Sequence, residues 1–95
     1  MNYLELNSAK KILEAVAGND GQLTWYSIVK RVDQEEDVER VPPSYHVLKE
    51  LTKLGYLRTD SPTLTNDSRY SLTEIGHAYV LKSVVDASRE FHLEV

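Results

Sequence analysis

The sequence predicts a mostly helical α+β domain, and three observations lead there. Apolar residues recur at helical spacing in four separate stretches. Between the third and fourth stretches lies "YLRTDSPTLTNDSRYSL", which reads as two short alternating segments around a polar tip. Residues that start or stop helices, such as Thr24, Gly55 and Thr73, stand at the edges of the periodic stretches.

In "SAKKILEAVA", residues 8–17, Ile12, Leu13 and Val16 fall on one helical face with Ala9 behind them. Ser8 is the expected N-cap, Gly18 the expected residue past the end, and "GNDG" the turn that follows. A second start is expected at Thr24 in "LTWYSIVKRV", where Trp25, Ile28, Val29 and Val32 form a short stripe. The β-branched pair Ile28–Val29 would also suit a strand, but the spacing and the cap favour helix. Residues 33–40, "DQEEDVER", could extend that helix or form a loop, with Val38 as their single apolar side chain. Pro42 and Pro43 then enforce a break, because the residue before a proline avoids helical backbone.

A third helix is expected over 43–54, with proline tolerated in its first turn. Val47, Leu48, Leu51 and Leu54 make its buried stripe, and Gly55 supplies a left-handed stop. Tyr45, His46, Lys49, Glu50, Thr52 and Lys53 point elsewhere. Tyr56–Thr59 and Arg69–Leu72 are the expected hairpin strands, with Arg58 opposite Arg69. Ser61, Pro62, Asn66, Asp67 and Ser68 supply the turn chemistry between them. Thr73 caps a last helix whose larger apolar residues include Ile75, Ala78, Tyr79, Leu81, Val85 and Phe91. Leu48, Leu51, Leu54, Ile12, Leu13, Val16, Ile28, Leu72 and Ile75 are the expected core, each stabilising by roughly 1.5–3 kcal/mol when buried.

Composition narrows the function. The 95 residues are 41% hydrophobic and 27% charged, as in ordinary globular domains. The absence of cysteine excludes disulfides, thiolate metal sites and a cysteine nucleophile. No apolar run is long enough for a membrane span, and no basic-then-apolar leader opens the chain, so a cytoplasmic protein is expected. No serine stands in a nucleophile-elbow pattern, and no glycine-rich phosphate loop is present. His46, His77 and His92 are too scattered for a metal site. The expectation is a protein that is not an enzyme and carries no cofactor or metal; no residue pattern marks a small-molecule effector. The net charge is −4, but five acids crowd into residues 33–40 and the C-terminal region is also acidic. The remaining residues carry a small positive balance, so the net value does not exclude a phosphate-bearing partner.

Three helices followed by a two-stranded hairpin are the winged form of helix-turn-helix. Its third helix suits the major groove of double-stranded DNA, its second crosses behind, and its hairpin lies alongside as the wing. The motifs sharpen this. "ILEAVAGNDGQLTWYSIVKRV" carries an aromatic-x-Ile segment at Tyr26 and Ile28. "SYHVLKELTKLGYL" carries a tyrosine-x-x-leucine-x-x-leucine-x-x-x-glycine run at Tyr45, Leu48, Leu51 and Gly55. "RYSLTEIGHAYV" carries tyrosine-x-leucine-threonine-x-x-glycine at Tyr70, Leu72, Thr73 and Gly76. In this order and spacing the motifs resemble the PadR-type winged-helix transcriptional regulators, and more distantly the MarR-like proteins. Trp25 stands where PadR proteins usually have a small residue, and Pro43–Ser44 where they often have glycine–threonine.

The resemblance implies a DNA-binding domain over 1–72 and a dimerising helix over 73–95. It also implies a sequence-specific transcriptional regulator, a repressor, bound to DNA as a homodimer. The candidate DNA contacts are Ser44, Tyr45, His46, Lys49 and Lys53 on the third helix and Arg58 and Arg69 in the wing. Lys10, Lys11, Lys30 and Arg31 are secondary candidates for the DNA backbone, or simply a solvated surface. Val80, Leu81, Val84 and Val85 are the candidate dimer contacts. The alternative is a winged helix that binds another protein and no DNA, which the acidic run 33–40 would favour.

Overall fold

The computed structural model describes residues 3–60 and 67–82. A single turn of 3-10 helix at Tyr3–Glu5 leads into α1 (Asn7–Gly18). Then follow β1 (Leu23–Thr24), α2 (Trp25–Asp33), α3 (Ser44–Lys53), β2 (Leu57–Thr59) and β3 (Arg69–Leu72). A fourth helix, α4, starts at residue 74 and is described to residue 82. The expected Ser61, Pro62 and Asn66 of the wing tip, with Val84, Val85, Phe91 and His92, lie outside the described residues.

The three helices close on one apolar core. Ala9, Ile12, Leu13 and Val16 of α1, Ile28 and Val32 of α2, and Val47, Leu48 and Leu51 of α3 are buried together. Leu57, Tyr70 and Leu72 close the core from the sheet side. The sheet has three strands in the order β1-β3-β2, both pairings antiparallel. The β1 strand is an addition to the expected hairpin. It is only two residues long, so period-two alternation cannot reveal it. Its Leu23 is buried, and Gly21 just before it, at φ 75, donates its N–H to the Tyr70 carbonyl.

Several expectations are corrected by local geometry. Ser8 does not cap α1. The helix begins at Asn7, no cap side chain bonds to it, and the Ser8 hydroxyl is buried without a partner. The capping function comes from 31 residues downstream, where the Glu39 carboxylate accepts from the Asn7 and Ser8 N–H groups at 3.1 and 3.2 Å. Gly18 belongs to the helix rather than to its exit, where Asn19 is the C-cap. Pro43, expected within α3, is its N-cap. Leu54 lies past the last residue of α3, beyond the edge of the core, and is 52% exposed. Ile75 is 57% exposed because α4 turns Gly76, Tyr79 and Val80 inward instead.

Other signals fall where the chemistry requires. Thr24 caps α2 by accepting from the Ser27 N–H. Gly55 adopts φ 93, the left-handed conformation that ends α3. Thr73 caps α4 by accepting from the Gly76 N–H at 3.1 Å. Residues 34–40 contain no helix, and Val38 plugs them into the core.

Candidate nucleic-acid interface

The third helix has two chemically distinct sides. Val47, Leu48 and Leu51 are fully buried, which fixes the rotation of α3 about its own axis. On the outer side Tyr45, Lys49 and Lys53 are exposed and follow one another at i, i+4 and i+8, so they line up in one row. The Lys49 ammonium stands 5.6 Å from the centre of the Tyr45 ring. The Tyr45 ring meets Trp25 edge-on at 5.0 Å, and Trp25 in turn meets Tyr26 at 5.7 Å. Trp25 and Tyr26 open α2, so these contacts tie the beginnings of α2 and α3 together. Tyr26 is 60% exposed at the end of this aromatic row.

His46 is exposed beside this row. Its Nε2 shares a 3.0 Å hydrogen bond with the Tyr3 hydroxyl, and the two rings lie 5.7 Å apart. Ser44 has turned inward. It is buried, and its hydroxyl donates to Asp33 at 2.7 Å across the break between α2 and α3. That bond holds the two helices in register and leaves the Ser44 side chain no outward reach.

The wing arginines differ from their expected arrangement. Arg58 pairs with Ser71 and Thr59 with Tyr70, so Arg58 and Arg69 are not opposite each other. Both are exposed, and the register puts them on one face of the sheet as diagonal neighbours. Arg69 is committed within the fold. Its Nη1 donates to the Gln22 carbonyl at 2.6 Å, and its backbone N–H donates to the Asp60 carboxylate at 3.1 Å.

The acidic segment is partly absorbed by the fold. Asp33 accepts from Ser44 and lies 3.7 Å from the Arg40 guanidinium. Glu39 sits over the start of α1, where the Asn7 N–H above all, with its own backbone N–H, the Ser8 N–H and the nearby Lys10, outweighs desolvation. Its carboxyl is held below the ordinary glutamate range. Glu35, Glu36 and Asp37 remain exposed.

Two residues near the row escaped the sequence reading. Tyr3 had no signal, because its role depends on a partner 43 positions away. Tyr70 stands in a wing motif by sequence, yet its ring is buried beside α3. Burial, and then the neighbouring Tyr45, push its hydroxyl pKa above the ordinary tyrosine value. Of the expected dimer contacts, Val80 is half-buried against the core and Leu81 is 65% exposed. Among the described residues no group of three histidine or acidic side chains could hold a metal, and no helix is long and apolar enough to cross a membrane.

No protein-family model matches the sequence, and no curated protein is significantly similar to it. Solved structures do share the fold. Staphylococcus aureus MarR, in complex with salicylate and kanamycin, superposes with a TM-score of 0.69 at 20% identity, over 90% of this chain and 53% of that one. The PcaV transcriptional regulator of Streptomyces coelicolor gives 0.66 at 19% identity, over 92% and 60%. SSV1 F-93 gives 0.61 at 20% identity, over 88% of this chain and 91% of that one. The chain thus has the winged-helix fold, and it spans about half the length of the MarR structure.

Proposed function

We propose that this protein is a sequence-specific DNA-binding transcriptional regulator of the winged-helix type, acting as a repressor and binding double-stranded DNA as a homodimer. The observation that carries this reading is the row Tyr45, Lys49 and Lys53 along the exposed side of α3, with His46 beside it. A helix with one side locked into a core and the other presenting lysines and hydrogen-bonding rings has the width and chemistry for the major groove. The shared fold with a transcriptional regulator supports the same reading. The resemblance to PadR-type regulators implies that Tyr45 stands near the DNA, while its ring also packs against Trp25 of α2. Ser44 serves the fold in this scheme, and Arg58 is the wing cation best placed for a phosphate. Residues 1–72 form the DNA-binding part and 73–95 the dimerising part, with the exposed Leu81 in the contact.

The test is a fluorescence titration against a duplex enriched from a random pool, at two salt concentrations. Lys49→Ala and Lys53→Ala should each weaken binding, by roughly 1–3 kcal/mol where the lysine meets a base and with a salt slope lower by about 1 where it meets a phosphate. Unchanged affinity in both variants would remove α3 from the reading role. A second reading, a protein-binding winged helix, is favoured by the exposed Glu35, Glu36 and Asp37 and the net charge of −4. Passage through a heparin column at low salt would select it.

A further inference from the structure

A notch between α3 and the central strand β3 sets Tyr70 beside two lysines of the row. It has a volume of about 240 Å³ and is lined by Lys49, Thr52, Lys53 and Tyr70. No carboxylate is among these lining residues. Thr52 spends its hydroxyl proton on the Leu48 carbonyl at 2.9 Å, as helical threonines do. Tyr70 is different. It is only 3% exposed and its backbone is held on both sides, since Tyr70 pairs with Leu23 in one neighbouring strand and Thr59 in the other. Its side chain lines the notch beside the two lysines. A phenol at a notch lined by two lysines has the chemistry to donate to an anion seated there.

We propose that Tyr70 is a phosphate-binding residue. In this site its hydroxyl donates to one backbone phosphate of the DNA while Lys49 and Lys53 supply the charge on either side. The proposal rests on the DNA-binding reading above and adds to it a neutral donor from the wing strand. Burial keeps the hydroxyl protonated well past neutral pH, as a donor must be. Lys49 Nζ also lies over the Tyr45 ring, so the lysine belongs both to the notch and to the row. A phenol carried by the central strand fixes where a phosphate sits and hence the register of α3 in the groove. Lysines alone act as point charges and fix position less well.

The experiment compares wild type, Tyr70→Phe and Lys53→Ala on the same enriched duplex across a salt series. Removal of a charge-assisted hydrogen bond should weaken Tyr70→Phe about tenfold. The slope of log affinity against log salt should stay at its wild-type value, because no cation is lost, whereas Lys53→Ala should lower it by about 1. A methylphosphonate walked along the duplex should find one position that weakens wild type more than it weakens Tyr70→Phe, which there loses only the attraction of the lysines. Affinity of Tyr70→Phe equal to wild type overturns the phosphate role and leaves the regulator reading standing. Equal sensitivity of both proteins at every methylphosphonate position does the same, since a merely structural tyrosine would behave that way. Failure of wild type to bind any duplex overturns both.

Discussion

Ser8 and Glu39 show how a position's meaning depends on what comes to meet it. Ser8 has the residue type and location of a cap, but the chain delivers a carboxylate to that helix end instead. Its buried hydroxyl is left unpaired, so Ser8→Ala should be neutral or stabilising by up to about 1 kcal/mol in chemical denaturation. The opposite holds for Glu39. Its carboxyl is depressed in the folded state, so its stabilisation is present above the ordinary glutamate pKa and is lost as pH falls through the lowered folded value. Denaturation midpoints followed downward from neutral pH should therefore drop in that acid range, and Glu39→Gln should flatten the part of the curve that Glu39 causes. The buried apolar residues of the helices were legible because local spacing alone places them. Leu54 and Ile75 were not, because their fate turns on where a helix ends and which face of α4 touches the body. Sequence periodicity marks a stripe but not its last member.

The helices were legible as elements where a start signal and a stop signal bracket an apolar stripe. Thr24 before α2 is such a signal, and Thr24→Ala should cost about 1 kcal/mol, readable as a lowered melting temperature. The β1 strand was illegible because two residues cannot display a period, and it exists only through pairing with β3. The start of α4 packs closely on the segment that follows α3. A Cβ at Gly76 would fall 2.2 Å from the Tyr56 carbonyl oxygen, a backbone atom that cannot swing aside. Gly76→Ala should therefore destabilise by 1–3 kcal/mol, about the cost of overpacking, and urea denaturation would measure it. The same glycine occurs in the PadR-like motif, and this contact gives it a physical reason. The hairpin itself was legible, but the offset that separates Arg58 from Arg69 was not. Register follows from the turn and from which residues the core takes, and here Leu57 and Leu72 set it.

At the scale of the molecule, one outward stripe of α4 has no cover within the described residues. Ile75, Ala78 and Leu81 share it, while Gly76, Tyr79 and Val80 face the body. On the dimer reading Leu81→Asp should give a folded monomer in sedimentation, with circular dichroism unchanged because the residue is already 65% exposed. A dimer of unchanged mass would place the contact elsewhere. The candidate DNA face was half legible: the lysine row of α3 follows from spacing alone, but Tyr3 and Tyr70 reach it from remote parts of the chain. Tyr3 carries a practical consequence. Its hydroxyl meets His46 on α3, and the next residue, Leu4, accepts from the Tyr79 hydroxyl of α4 at 3.2 Å. The first described residue therefore lies at the edge of the lysine row. A bulky group attached at Tyr3 would crowd that surface, whereas a small fluorophore in the same place would sense a duplex arriving on α3.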